Sequence, residues 1–194
     1  MSAQQFGVLF LHGWHNRRPP GHWQREAAAR LTSRGHRVEY PQLPSPDEPT
    51  VGEWKAVAER SLATLASTGL PIVVVCHSLA CLLWLGARPS GPAVERVLLV
   101  APPDPRVLAS SLEVAGFVAL GLAVAAEDRN RLTIVASDND EFCPEGAARL
   151  FGDRFGIRTV VLEGQGHLNT DAGYGEWPSL VAWCENAEVA IVPR

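Results

Sequence analysis

The sequence of 194 residues predicts an α/β fold, a doubly wound, mostly parallel six-stranded sheet flanked by helices. Three observations carry that expectation. Short apolar runs alternate with helical patterns along the whole chain. Several of those runs are continuous in Val, Ile and Leu, without the polar alternation of a half-exposed strand, and strands buried on both faces of a parallel sheet have that composition. The β-α order then repeats, which is the pattern of right-handed crossovers.

Strands are expected over 6–11, 37–40, 71–76, 94–101, 132–136 and 157–162. Helices are expected between them. Residues 22–33 carry Trp23, Ala27 and Leu31 at spacings of four, one face of a helix. Thr50 followed three residues later by Glu53 reads as a capping box that opens the next helix. Helical patterns over 79–88, 144–155 and 176–186 complete the set. The Pro-rich stretches 17–21 and 41–49 read as loops. Neither is long enough to separate domains, so residues 1–194 are expected to form one domain.

Composition narrows the function classes. Hydrophobic residues make up 46% of the chain and charged residues 20%, and the net charge is −4. Lys55 is the only lysine. No basic surface for nucleic acid is implied. No stretch reaches the ~20 apolar residues of a membrane span, and the run 6–11 is too short for a signal-peptide core. A cytoplasmic protein with free thiols is therefore expected. Cys76, Cys81, Cys143 and Cys184 lack the spacing of metal ligands, so neither a metal nor a cofactor is expected. A nucleotide fold is not indicated, since no Gly-x-Gly-x-x-Gly follows the first strand.

Four segments carry the chemistry, and each falls in a loop after a strand, where ligands sit in such sheets. Pro71-Ile-Val-Val-Val-Cys-His-Ser78-Leu-Ala80 reads as strand, sharp turn and helix, the setting of a nucleophile elbow. Cys76 and Ala80 stand where that motif usually has glycine, and both are small enough for the close strand–helix approach. The competing reading of Ser78 is an ordinary helix cap. His77 is adjacent in sequence to Ser78 and reads as structural. Cys76, at the strand end, reads as buried packing. His12-Gly13-Trp14 closes the first strand, and a backbone N–H there, best that of Trp14, can pair with the N–H of Leu79 to form an oxyanion hole. Ser137-Asp138-Asn139-Asp140 offers two carboxylates, Asp138 and Asp140, either of which can orient a histidine or simply make turns. His167, in the Gly164–Gly166 loop after the last strand, is the only histidine beyond Ser78. The order Ser, Asp, His is that of α/β-hydrolases.

With these residues the sequence resembles the small serine hydrolases typified by retinoblastoma-binding protein 9 and bacterial YdeN-like proteins. The resemblance spans nearly the whole chain. It is strongest at His77-Ser78-Leu79-Ala80-Cys81-Leu82, at 136–144, and at 166–178, which includes Gly173-Tyr174-Gly175-Glu176-Trp177-Pro178. It implies a compact α/β-hydrolase with a minimal cap and a Ser/Asp/His triad. In the family pattern the acid stands four residues before a proline, which implies Asp140, four before Pro144. Ala80 departs from the glycine of the family elbow and adds a methyl at a tight contact.

The resulting expectation is a serine hydrolase that cleaves carboxylic esters or related acyl bonds of small substrates through an acyl-enzyme, with Ser78, His167 and Asp140 as triad. Trp14 and His15 are candidates to line the mouth of the site. The apolar segment 112–125, with Phe117 and Leu120, packs against the body or covers an acyl pocket; packing is favoured. The rival class is a hydrolase-fold binding protein without catalysis, against which the complete set Ser78/Asp140/His167 speaks.

Overall fold

The structure is a computed structural model that describes residues 4–194. Six strands form one sheet: β1 (Gly7–Leu11), β2 (Arg37–Glu39), β3 (Ile72–His77), β4 (Arg96–Val100), β5 (Leu132–Ser137) and β6 (Arg158–Leu162). Their order is β2-β1-β3-β4-β5-β6, and every neighbouring pair is parallel. The sheet is thus fully parallel where a mostly parallel one was expected. The chain starts at β1, runs outward to β2, and then crosses back to β3. The order reverses between β1 and β3, and a crevice opens at that switch point. Register puts Leu11 of β1 beside Cys76 of β3, so the loops after both strands leave side by side.

Both faces of the sheet are covered, which explains the unbroken apolar runs. β1, β3 and β4 are buried along their whole length. Helices α1 (Trp23–Ser33) and α5 (Pro178–Glu185) cover one face, where Phe10, Val75 and Leu98 meet Trp23, Leu31 and Leu180. Helices α2 (Val51–Ala66) and α3 (Leu79–Gly86) cover the other, where Leu9, Val74 and Leu99 meet Trp54, Leu62 and Leu82. β6 lies at the sheet edge and leaves Val161 half exposed.

The helix starts follow from local chemistry. Thr50 Oγ1 accepts from the Glu53 N–H and its hydroxyl donates to the Glu53 carboxylate. His22, expected inside the first helix, is its cap: its side chain accepts from the Gln24 N–H. The helix expected over 144–155 starts late. Pro144 and Gly146, the latter at φ 82°, form a turn first, and the segment Ala148–Asp153 is wound as π-helix. Gly152 lies in that turn, pressed against Thr159 and the Ile157 carbonyl, with no room for a side chain.

The segment after β4 is irregular. It forms 3-10 turns over Val107–Ser110 and Leu112–Val114 and a single turn of helix, α4 (Ala115–Val118). Phe117 is fully buried edge-on against Trp54, 5.2 Å between ring centres, so this segment packs into the body as favoured. Among the described residues no helix is long and apolar enough to cross a membrane.

Thr50→Ala removes the α2 cap and is expected to cost about 1 kcal/mol. Thermal unfolding should show Tm falling by roughly 2–4 °C.

Candidate active site

Ser78 sits at the apex of the turn between β3 and α3, with φ 53° and ψ −121°. A non-glycine residue in that region is strained. Two backbone bonds hold it there: the Ser78 N–H donates to the Val100 carbonyl of β4 (2.9 Å), and the Ser78 carbonyl accepts from the Cys81 N–H (2.8 Å). Cys76 and Ala80 flank the turn and are fully buried, so their small size lets strand and helix approach. The Ser78 hydroxyl makes no cap bond to α3; its hydrogen bond goes elsewhere. Gly13 lies directly against it, and a Cβ there would come within 2.8 Å of the Ser78 Cβ.

The hydroxyl is 2.8 Å from His167 Nε2. His167 Nδ1 lies 2.9 Å from both carboxylate oxygens of Asp140. Asp140 can only accept, so the imidazole proton sits on Nδ1 and Nε2 is left to accept the Ser78 proton. Asp140 and His167 are both buried. Asp140 Oδ1 also accepts the Phe142 N–H at 2.9 Å, which fixes the carboxylate from behind.

The residues before Asp140 build the histidine loop. Asp138 Oδ1 accepts the Gly164 N–H (2.7 Å), Ser137 Oγ accepts the Gln165 N–H (2.7 Å), and Asn139 Oδ1 accepts the Gly166 N–H (2.7 Å). Three consecutive side chains thus grip three consecutive amides, and the fourth, Asp140, takes the His167 ring. Asp138 belongs to this clamp and not to the imidazole. From beneath, the Trp23 indole N–H donates to the Leu168 carbonyl (2.8 Å), and His77 Nε2–H donates to the His167 carbonyl (3.2 Å). The sequence marks His77 as structural but does not show what it holds, because the contact spans ninety residues.

These groups open into a cleft of about 480 Å³. Trp14, Leu79, Leu108 and Phe142 supply apolar wall, and His22, His77 and Asn16 supply polar wall. Trp14 and His15 stack at the mouth, 4.2 Å between rings. The His15 N–H is bound to the Pro46 carbonyl (2.8 Å). Arg17 and His15 both grip Asp47 across the loop, and these partners hold the Asp47 carboxyl down at about 2.

The inner histidines are kept uncharged. Burial lowers His12 to about 4, against the raising effect of its bond to the Gly13 carbonyl and aided by Arg18. Burial, aided by His12, lowers His22 to about 4. Burial holds His77 well below its usual range. The Cys76 thiol is pushed far up by burial, so it is held as a neutral packing group. Among the described residues no group of three or more His, Cys, Asp or Glu is arranged to hold a metal ion.

A strained serine elbow at the switch point of a parallel sheet, with an acid loop after β5 and a histidine loop after β6, defines an α/β-hydrolase. The chain belongs to the serine hydrolase family, whose model matches residues 8–185. A search of curated proteins by sequence finds no match. Solved structures share the fold at low identity. The ydeN gene product of B. subtilis is 19% identical, with a TM-score of 0.67 over 92% of this chain and 96% of its own. A YdeN-like hydrolase of Pectobacterium atrosepticum is 19% identical, with a TM-score of 0.72 over 97% and 94%. The esterase domain of a Rhodothermus marinus protein is 20% identical, with a TM-score of 0.64 over 95% and 88%.

His12 and His22 accept protons more readily unfolded than folded. The unfolded chain therefore takes up more protons between about 6.5 and about 4, and stability falls as pH drops through that window. Urea titrations from pH 7 to pH 4 should show a loss approaching about 1.4 kcal/mol per pH unit for each histidine. A flat profile would contradict buried neutral rings. Gly13→Ala, which drives a methyl into Ser78, is expected to displace the Ser78 side chain and lower Tm, while circular dichroism shows the sheet intact.

Proposed function

We propose that this cleft is the hydrolytic centre of the protein and cleaves small carboxylic esters or related acyl bonds. The observation that carries the reading is the unbroken hydrogen-bonded chain Asp140–His167–Ser78, ending on a hydroxyl held in a strained elbow. In this reading Ser78 attacks the substrate carbonyl as His167 Nε2 takes its proton. Asp140 holds the tautomer and stabilises the imidazolium. The N–H groups of Leu79 and Trp14, both lining the cleft, hold the oxyanion. His167 returns the proton to the leaving alcohol. Water, activated by the same ring, then releases the acid and restores Ser78.

The elbow supports the nucleophile assignment because its strain exposes the hydroxyl and leaves it free of any capping bond. The size of the cleft favours small acyl and alcohol groups. The esterase domain among the structural relatives supports an ester before an amide.

A fluorophosphonate probe is expected to label wild type and to leave Ser78→Ala and His167→Ala unlabelled. On an ester substrate Asp140→Asn should lower kcat by roughly 10⁴, the cost of a wrong tautomer. Asp138→Ala should cost far less, since it loosens one amide of the loop. Folded wild type that resists the probe would sink the reading and leave a binding protein.

A further inference from the structure

One wall of the cleft carries an unmatched set of hydrogen-bonding groups. His22 is 3% exposed and lines the cleft. Its Nδ1 accepts the Gln24 N–H at the start of α1, 3.2 Å away. A neutral ring that accepts at Nδ1 carries its proton at Nε2. The group facing Nε2 is the Asn16 side-chain amide, 3.1 Å away. The Asn16 carbonyl oxygen is already taken by the Arg18 N–H at 2.6 Å, so Asn16 presents its NH₂. Two donors therefore face one another with no acceptor between them. Turning the amide over does not help, because its NH₂ would then face the Arg18 N–H.

A second buried group nearby has the opposite need. The His77 ring lies 5.7 Å from that of His22 and also lines the cleft. Its Nε2–H donates to the His167 carbonyl, which leaves Nδ1 as an acceptor, and Nδ1 has no protein partner among the described residues. His77 Nδ1 is itself closed off from the cleft surface, so the groups that a bound molecule can meet are the two donors. Leaving donors without an acceptor is costly. An oxygen acceptor, whether a hydroxyl or a carbonyl, answers them, and a methyl does not.

We propose that His22 and Asn16 form a subsite that selects substrates bearing an oxygen acceptor, such as a hydroxyl group, besides the scissile acyl bond, in the acyl or the alcohol moiety. The subsite rests on the reading of Ser78 as nucleophile and adds a substrate class to it. It is separate from the oxyanion donors Leu79 and Trp14, which serve the scissile carbonyl. His22 and Asn16 act on binding and orientation and take no role in bond making. The apolar wall of Trp14, Leu79 and Phe142 receives the remaining carbon chain.

The test uses two pairs of esters matched in shape. In one, the acyl group is 2-hydroxypropanoyl or 2-methylpropanoyl, on the same 4-nitrophenol. In the other, butanoate carries 2-hydroxyethanol or 1-propanol. Wild type is expected to favour the hydroxyl member of at least one pair by about tenfold or more in kcat/KM, after correction for the rates of base hydrolysis. His22→Asn keeps an acceptor for the Gln24 N–H and deletes the Nε2 donor, and it should bring the ratio close to one. Asn16→Asp keeps an oxygen for the Arg18 N–H and gives His22 Nε2–H an acceptor. It should erase the preference and raise Tm by roughly 2–4 °C. A merely structural pair would not lose selectivity while gaining stability. No preference in either pair, or a preference that survives both substitutions, overturns the subsite. An Asn16→Asp protein no more stable than wild type overturns the facing donors. If wild type hydrolyses none of the four esters, the active-site reading fails, and the Tm of Asn16→Asp, which needs no turnover, still decides the donor pair.

Discussion

The site depends on one strained residue. Ser78 is held at φ 53° in the single-residue turn that joins β3 directly to α3. The bond from its N–H to Val100 fixes the turn to the adjacent strand, and Gly13, just after β1, closes on its side chain. Three neighbouring strands therefore define where the hydroxyl points. The remainder of the cleft is built around that fixed direction: the histidine must arrive within hydrogen-bond distance of it, and the acid must arrive behind the histidine.

The arrival of His167 is secured by backbone bonds that require no extra elements. The run Ser137-Asp138-Asn139-Asp140 meets Gly164-Gln165-Gly166-His167, one side chain to each amide and then one to the ring. Beneath, two aromatic N–H groups hold the carbonyls of His167 and Leu168. Burial keeps His77 neutral, so it offers one N–H for this purpose and adds no charge beside the His167 imidazole.

Much of this was legible in the sequence. Unbroken Val/Ile/Leu runs told of strands covered on both faces at β1, β3 and β4, and all six strands fall within or beside the expected segments. Ser78, Asp140 and His167 each stood in a loop after a strand, and the structure brings the three together. Thr50 was readable as a cap because the cap and its partner are three residues apart. The misses have a common cause. His22 was placed inside α1 because the spacing of Trp23, Ala27 and Leu31 does not say where a helix starts. The stretch after Pro144 was taken for one regular helix because contact of Gly152 with Thr159 is tertiary. The choice between Asp138 and Asp140 could not be made from turn chemistry alone, since both are acids in one loop and differ only in which distant group each meets. The links from His77 and Trp23 to the histidine loop leave no local pattern.

The clamp between the acid loop and the histidine loop also bears on how such a chain can diverge. Because each side chain from Ser137 to Asp140 answers one position from Gly164 to His167, a residue inserted in either loop would shift every pair and carry the ring away from the serine. Those two loops are therefore locked in length to one another. The stretch from Ala101 to Arg131 has no such pairing with a second loop along its length: it is made of short turns, borders the cleft through Leu108, and is anchored by buried Phe117 and by the Asp104 N–H on the Phe142 carbonyl. Insertions at its exposed turn, where Leu112 faces outward, leave the loops that carry Ser78, Asp140 and His167 in register with one another, so the chain has room to vary there.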